Sequence, residues 1–331
     1  MITGKPIKIL AMGTYLPERV TSAEIENRHG IPSGWSVKYS GVSSRHHVTF
    51  ESNGFMGARA AERALEKANM SLIDIDMLIS ASGTYDYPLP NQASIIKSEL
   101  TGGDKTDFPA IDIDSTCLSF VAALDFASKI LDGQSMKTIL IVSSEVASKG
   151  LNHDNWETTT LFGDGAAAAV VAYDQNSESL FIKGAQKTYT EGVYYTFIEG
   201  GGNQKFFKDH AYDKEMHSFK MKGKKLLRLA KKKLPIFMSE FFKDLPIKLE
   251  ETDAIIPHQA SKLGIHIFEK MYSFKEGQIK KSLSKYGNCI AASIPLTLSD
   301  CIDSGEIKRG DLCFLSGTSA GFSIGGVLIK Y

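Results

Sequence analysis

Along the chain, short runs of apolar and β-branched residues alternate with stretches whose apolar positions recur at helical spacing. The short runs predict strands at Ile7–Met12, Met77–Ala81, Ala110–Ile113, Thr138–Ser143, Ala166–Ala172 and Leu180–Lys183. In the second half they predict strands at Phe219–Met221, Ala254–Ile256, Asp311–Leu315 and Gly326–Ile329. The helical period predicts helices over Gly54–Ala68, Leu118–Leu131, Lys224–Phe242 and Ile290–Asp303. Several strand runs are apolar throughout rather than alternating, the pattern of sheets covered on both faces. Strands and helices that alternate in this way predict an α/β fold.

The two halves echo each other. Asp76-Met-Leu-Ile-Ser-Ala81 follows a helical stretch, and so does Asp253-Ala-Ile-Ile-Pro-His258. Each half closes on a Gly-rich segment, Phe162-Gly-Asp-Gly165 and Gly317-Thr-Ser-Ala-Gly-Phe322. This predicts a duplicated α/β unit with its boundary near Tyr173–Ser177, giving halves 1–174 and 175–331. Residues 185–217, rich in Gly, Tyr and charge, read as a long loop, a kind of segment that is often functional.

Composition narrows the class. The 331 residues are 43% hydrophobic and 23% charged, ordinary for a globular chain with a sizeable core. Lys plus Arg and Asp plus Glu are equal at 38 each, so no global charge points to nucleic acid or an anionic membrane. Cys117, Cys289, Cys301 and Cys313 are scattered, with no C-x-x-C pair and no zinc-ligand spacing. They predict a reducing compartment rather than a disulfide framework. The N-terminal residues lack an apolar core, and no apolar run reaches ~18 residues, so the expected protein is soluble and cytoplasmic.

Three residues stand at predicted strand-to-helix junctions. Cys117, in Asp114-Ser-Thr-Cys117, is placed where a helix dipole lowers a thiol's pKa; a buried structural cysteine is the competing reading. His258 ends the strand run Ala254–Ile256, where ligand-facing residues collect in α/β folds, although a lone histidine is more often a satisfied core residue. Asn288, in Tyr286-Gly-Asn288, opens a helix and taken alone reads as a cap or turn residue. Together, in the order Cys, His, Asn, they form a far more specific signal.

These segments resemble the β-ketoacyl-acyl-carrier-protein synthase III family, the thiolase-fold condensing enzymes. The resemblance also runs through Gly13-Thr-Tyr-Leu-Pro-Glu-Arg-Val20, Trp35, Ser40-Gly-Val-Ser-Ser-Arg45, Phe162-Gly-Asp-Gly165 and Pro257-His-Gln-Ala260. It implies a five-layered αβαβα arrangement of duplicated halves. It also implies that Cys117 carries an acyl group and that the backbone N–H groups of Cys117 and Ala320 form an oxyanion hole. His258 and Asn288 would stabilise the enolate left when a malonyl thioester decarboxylates. Acyl-coenzyme A or acyl-carrier protein, and malonyl-carrier protein or malonyl-coenzyme A, are then substrates. No metal or bound cofactor is implied, and the partner is an acyl carrier protein. A homodimer is implied too, with Leu89 reaching the neighbouring subunit's acyl pocket. Thiolases use a second Cys near the C-terminal Gly-rich loop, and Gly317-Thr-Ser-Ala-Gly-Phe322 has none. Acyl transfer without decarboxylation dispenses with the Asn, so Asn288 favours condensation. A non-catalytic subunit of a heterodimeric synthase would lack the Cys.

The chain departs from the family where coenzyme A is gripped. Trp35 and Phe162 match the family at the substrate-binding side. Tyr39 and Trp156 stand where the family has arginines, and Ser261 and Lys224 where it has asparagines. The departure predicts a donor delivered by a carrier protein. Residues 220–233 hold eight basic side chains, and Lys224, Lys225 and Arg228, with Lys262 nearby, are the expected docking cations for an acidic carrier.

Overall fold

The computed structural model describes residues 2–331. Its first large sheet contains β1 (Ile7–Tyr15), β2 (Met77–Ser80), β3 (Ala110–Asp112), β4 (Thr138–Glu145) and β5 (Gly165–Tyr173), in the order β1-β5-β4-β2-β3. Only β5 runs against the others. The second contains β6 (Leu180–Thr188), β7 (Ala254–Pro257), β8 (Leu312–Ser319) and β9 (Ser323–Lys330), in the order β7-β8-β9-β6, with only β9 reversed. A parallel bridge between Ile255 and Ile279 adds an edge position beside β7. With Ile279 standing for β3, the two sheets have the same strand order and directions.

Helices separate and cover the sheets. α1 (Asn53–Ala68) and α2 (Gln92–Glu99) pack on the outer face of the first sheet through Met56, Ala60, Ala64 and Ile96. α3 (Ser119–Ile130) is joined between the sheets by α6 (Ser293–Asp303), and their Leu124, Ala127, Ile294 and Leu298 meet β-strand residues of both sheets. α4 (Gly223–Phe242) and α5 (Lys262–Met271) cover the outer face of the second sheet through Phe237, Phe241, Ile265 and Phe268. The result is five layers, αβαβα, as expected. β4 is buried at every position because helices cover both of its faces.

Local chemistry explains the boundaries. Ser52 caps α1 by accepting from the Phe55 N–H, and Asn69, at φ 53°, ends it in the left-handed conformation. The small face Ala60–Ala64 lets α1 lie almost on the backbone of β1. A Cβ at Gly13 would fall 2.3 Å from the Ala60 carbonyl oxygen and 2.4 Å from the Ala64 nitrogen. Such separations are well inside van der Waals contact.

The stretch 185–217 differs from expectation at its start and in its interior. β6 continues through Thr188, and Thr196–Phe197 pairs with Lys220–Met221. β6 is an edge strand with polar residues at its far end, so its sequence lacks the apolar continuity of the central strands. The short hairpin pairing Glu18–Thr21 with Ser44–His47 is equally polar and carries no strand pattern.

Replacing Gly13 by Ala is expected to destabilise the protein by about 1–3 kcal/mol, the usual range for overpacking against backbone. Urea denaturation checks this, and an unchanged midpoint would show that α1 can retreat from β1.

Candidate active site

The thiol stands on a single 3-10 turn, Thr116–Leu118, between β3 and α3. Asp114 Oδ1 accepts from the Thr116 N–H at 2.7 Å, and the Ser119 hydroxyl donates to the Thr116 carbonyl at 2.7 Å. Thr116 itself has φ 49°, a left-handed conformation that a β-branched residue adopts only when its surroundings impose it. The α-helix proper begins at Ser119, two residues beyond the thiol.

His258 lies just past the end of β7, its N–H donating to the Ser316 carbonyl at 2.8 Å. Gly317 of β8 passes so close that a Cβ there would sit 2.5 Å from His258 Cβ and 3.5 Å from Leu118. The histidine, the Gly-rich end of β8 and the turn bearing Cys117 therefore touch. The imidazole is buried, with no hydrogen-bond partner for Nδ1 among the described residues.

Asn288 is placed by backbone pairing. Its N–H donates to the Leu161 carbonyl at 2.9 Å, and its carbonyl accepts from Gly163 at 3.1 Å. Gly287, at φ 69°, allows this approach, because any Cβ would lie 2.4 Å from the Leu161 oxygen. Asn288 Oδ1 accepts from the Ile290 N–H at 2.9 Å, which commits the amide oxygen and turns Nδ2 outward. Nδ2 reaches the Ala260 carbonyl at 3.4 Å, a long bond that a substrate carbonyl can replace.

Two residues that the sequence did not single out hold these pieces together. Gln259 is fully buried; its Nε2 donates to the Pro257 carbonyl at 2.7 Å, and its Oε1 accepts from Ser282 and Leu283, both at 3.0 Å. It clasps the His258 loop to the segment leading to Asn288. Glu145, at the end of β4, is also fully buried. Its Oε1 accepts from Gly83 at 2.7 Å and from Ala291 at 3.3 Å, and its Oε2 accepts from the Thr84 hydroxyl at 2.5 Å. Gly83 in turn lies against Thr116 and Ile290, both left-handed non-glycine residues. In the sequence Gln259 is one letter of a motif, and Glu145 is a charge at the end of an apolar strand, the only available signal.

The electrostatics reverse one expectation. Burial, and then the Glu145 carboxylate, push the Cys117 thiol up to about 12, while the backbone N–H groups of Ala320 and Cys117 pull it down. The thiol was expected to be lowered by a helix dipole. The helix begins beyond it, and loss of water outweighs the dipole. Those two N–H groups at the sulfur are the pair assigned to the oxyanion hole. Burial raises Glu145 to about 8, so it holds its proton at neutral pH. Burial lowers His258 to about 4, which leaves a neutral imidazole that can donate from one nitrogen.

An open cavity of about 420 Å³ leads from the surface toward Thr318 and is lined by Trp35, Tyr39, Met221, Lys224 and Ser261. Trp35 stacks near Tyr39 with centroids 4.9 Å apart, and Trp156 meets it edge-on at 6.1 Å. Phe162 is not at the cavity. It is buried against Phe219 at 4.9 Å, and the neighbouring Leu161 lines the cavity instead. The Gly287–Asn288 bridge turns the Phe162 side chain into the core. Leu89 is 85% exposed in the single chain and lines none of the cavities described here. Lys224, Lys225 and Arg228 are exposed, but Lys262 donates to the Lys38 carbonyl at 3.2 Å and clasps the Trp35 turn. Among the described residues no His, Cys, Asp and Glu side chains are grouped to hold a metal, and no helix can cross a membrane.

Glu145→Gln keeps acceptance at Oε1 from Gly83 and Ala291 and removes the charge, giving up only the bond that Thr84 donates to Oε2. At pH 8–9, where wild-type Glu145 ionises, the variant's Cys117 is expected to react faster with iodoacetamide. Below pH 7 the two should match. Equal rates at every pH would show that the carboxylate does not act on the thiol.

The profile described as 3-Oxoacyl-[acyl-carrier-protein (ACP)] synthase III matches residues 111–189, and its C-terminal counterpart matches residues 242–331. A β-ketoacyl-[acyl-carrier-protein] synthase III of Vesicomyosocius okutanii is 31% identical over 325 residues, covering 98% of both chains. The crystal structure of 3-oxoacyl-[acyl-carrier-protein] synthase III from Aquifex aeolicus superposes with a TM-score of 0.87 at 27% identity, covering 98% of this chain and 100% of that one. Xanthomonas campestris OleA, at 22% identity and a TM-score of 0.85 over both whole chains, shares the fold. Whole-length identity and a common architecture agree: the chain belongs to the β-ketoacyl-[acyl-carrier-protein] synthase III family of condensing, acyl-transferring enzymes.

Proposed function

We propose that the protein loads an acyl group onto Cys117 and condenses it with a malonyl thioester. In loading, the sulfur attacks the donor thioester carbonyl, the C–S bond to the donor breaks, and the thiol proton leaves with the released thiol. The Cys117 and Ala320 N–H groups hold the transient oxyanion. The malonyl thioester carbonyl then takes the place of the Ala260 carbonyl at Asn288 Nδ2 and accepts a second bond from neutral His258. Loss of CO2 leaves its electron pair on the α-carbon as an enolate. The α-carbon attacks the acyl carbonyl, the bond to Cys117 breaks, and the sulfur recovers a proton from solvent. The product is a β-ketoacyl thioester.

The observation that carries this reading is the commitment of Asn288 Oδ1 to the Ile290 N–H, which presents Nδ2 as a donor beside the His258 loop. Simple acyl transfer needs no such donor pair. The division of labour follows the chain, with the nucleophile in residues 1–174 and the enolate donors in 175–331.

The donor is carried by an acidic carrier protein rather than gripped as free coenzyme A. Tyr39 and Trp156, which stand where the family has arginines, both pack against Trp35 and offer no cation to a coenzyme A. Lys224 lines the cavity mouth, and Lys224 and Arg228 form no ion pair among the described residues. Docking rests on these two, since Lys262 is occupied by the Trp35 turn and Lys225 leans over Tyr195. The exposed Tyr85, Tyr87 and Leu89 are the face that a second subunit covers in the proposed homodimer. Four unpaired cysteines fit the reducing cytoplasm.

Asn288→Ala is expected to acylate Cys117 normally, by intact mass, and to lose ~100–1,000-fold in malonyl decarboxylation. Normal condensation by this variant would make the protein an acyltransferase that does not decarboxylate. Reversing the charges of Lys224 and Arg228 together should raise KM for acyl-carrier protein several-fold and leave acyl-pantetheine kinetics unchanged. The effect should fade as salt is raised, because exposed charges are screened within ~10 Å at 0.1 M. Indifference of carrier kinetics to the reversal would reduce the basic helix to a solvated face.

A further inference from the structure

Behind the entry cavity lies a second, mainly apolar chamber of about 110 Å³, walled by Leu234 and Met238 of α4 and by Ile265, Phe268 and Met271 of α5. His258 forms part of its wall, with Gly317 and Thr318 of β8. Chamber and entry cavity share Leu227, Ala230, Ala260, Gly264 and Thr318, so small side chains stand beside Leu227 and Thr318 where they adjoin. One larger residue at Ala230 or Gly264 would narrow the passage between the two. A Cβ at Gly264 would meet nothing closer than the Ser261 hydroxyl at 3.1 Å.

Its position identifies the occupant. Every residue lining the chamber lies between 227 and 318, and none belongs to the turn bearing Cys117. The chamber therefore serves the substrate that His258 holds, not the acyl group on the thiol. When His258 and Asn288 bind a thioester carbonyl, the adjacent α-carbon lies next to the imidazole. A substituent on that carbon starts at the chamber's wall. At ~30 Å³ per water-sized group, the space accepts about four carbon atoms. Met238 closes the far end and also lines an open surface groove of about 680 Å³ with Pro235, Phe242 and Tyr272.

We propose that this chamber receives an alkyl substituent on the α-carbon of the extender, so that α-alkylmalonyl thioesters with branches of up to about four carbons are substrates. The proposal rests on the condensation reading, and its decisive test does not require turnover.

The test uses pantetheine amides of malonate, methylmalonate, ethylmalonate and butylmalonate, in which NH replaces the thioester sulfur and no condensation can follow. Calorimetric affinity for the wild-type protein should rise with branch length by about fourfold per methylene, the equivalent of ~0.8 kcal/mol. Ile265→Phe should abolish the gain for butyl while leaving the malonyl amide within about twofold. Leu234→Phe, filling from the opposite helix, does the same where the first variant is unstable by thermal melting. Met238→Ala should extend the gain to branches longer than butyl. The proposal is overturned by wild-type affinity that is flat or falling with branch length, or by a butyl gain that survives both filling variants. Failure of malonyl thioesters to condense with acylated wild-type protein would sink the condensation reading instead, and the amide series would still decide the chamber.

Discussion

At the end of β4 one carboxyl group, Glu145, is cut off from water, takes donors from two separate segments and lies beside a third. Gly83 and Thr84 continue from β2, Ala291 leads into α6, and the Cys117 turn lies close enough for the charge to act on its sulfur. A buried carboxyl is costly unless its hydrogen bonds are made. These contacts are made only when the three segments occupy one arrangement. Thr116 and Ile290 flank that arrangement in left-handed conformations, each costing ~1–3 kcal/mol. The surrounding hydrogen bonds hold that strain beside Cys117 and beside Asn288.

The second sheet meets this hub through Gln259. Its amide bonds Pro257 at the end of β7 and Ser282 and Leu283 on the way to Asn288, so β7, the loop and the approach to Asn288 move as a unit. The imidazole needs no charged partner, because burial alone keeps it neutral. A neutral donor suits a step that builds negative charge on a carbonyl oxygen and avoids the desolvation cost of an imidazolium. The thiol pays a different cost. Raised by burial and by Glu145, it is no standing thiolate, so its nucleophilicity depends on the two backbone N–H groups at the sulfur and on the donor's arrival.

Specificity is separated from this rigid centre. The entry cavity is bounded by aromatic side chains and Lys224, residues that alter who is admitted without touching the buried hydrogen bonds. The chamber between α4 and α5 is bounded mainly by aliphatic side chains, methionines and Phe268, which a single substitution can enlarge or fill. Substrate range can thus change while Cys117, His258 and Asn288 keep their places.

Much of the architecture was legible in the chain. β5, β7 and the Ile139–Val142 stretch of β4 are uninterrupted apolar runs because helices cover both faces, and sequence periodicity reports that burial directly. Cys117, His258 and Asn288 could be singled out as candidates because each stands shortly before a helix within a recognisable run of neighbours. Edge strands such as β6 and the Glu18–Thr21 hairpin were not, since a half-solvated strand need not be apolar. Nor were the inward turn of Phe162, the clasp made by Lys262, the roles of Glu145 and Gln259, or the chamber beside His258. The direction of the Cys117 shift could not be read either, because local sequence showed a nearby helix terminus but not the loss of water around the sulfur. Periodicity and motif order are properties of neighbours along the chain. Proton affinity, cavity shape and hydrogen-bond closure depend on groups tens to hundreds of residues away, such as Glu145 with Ala291 or Lys38 with Lys262, which only the folded structure brings together.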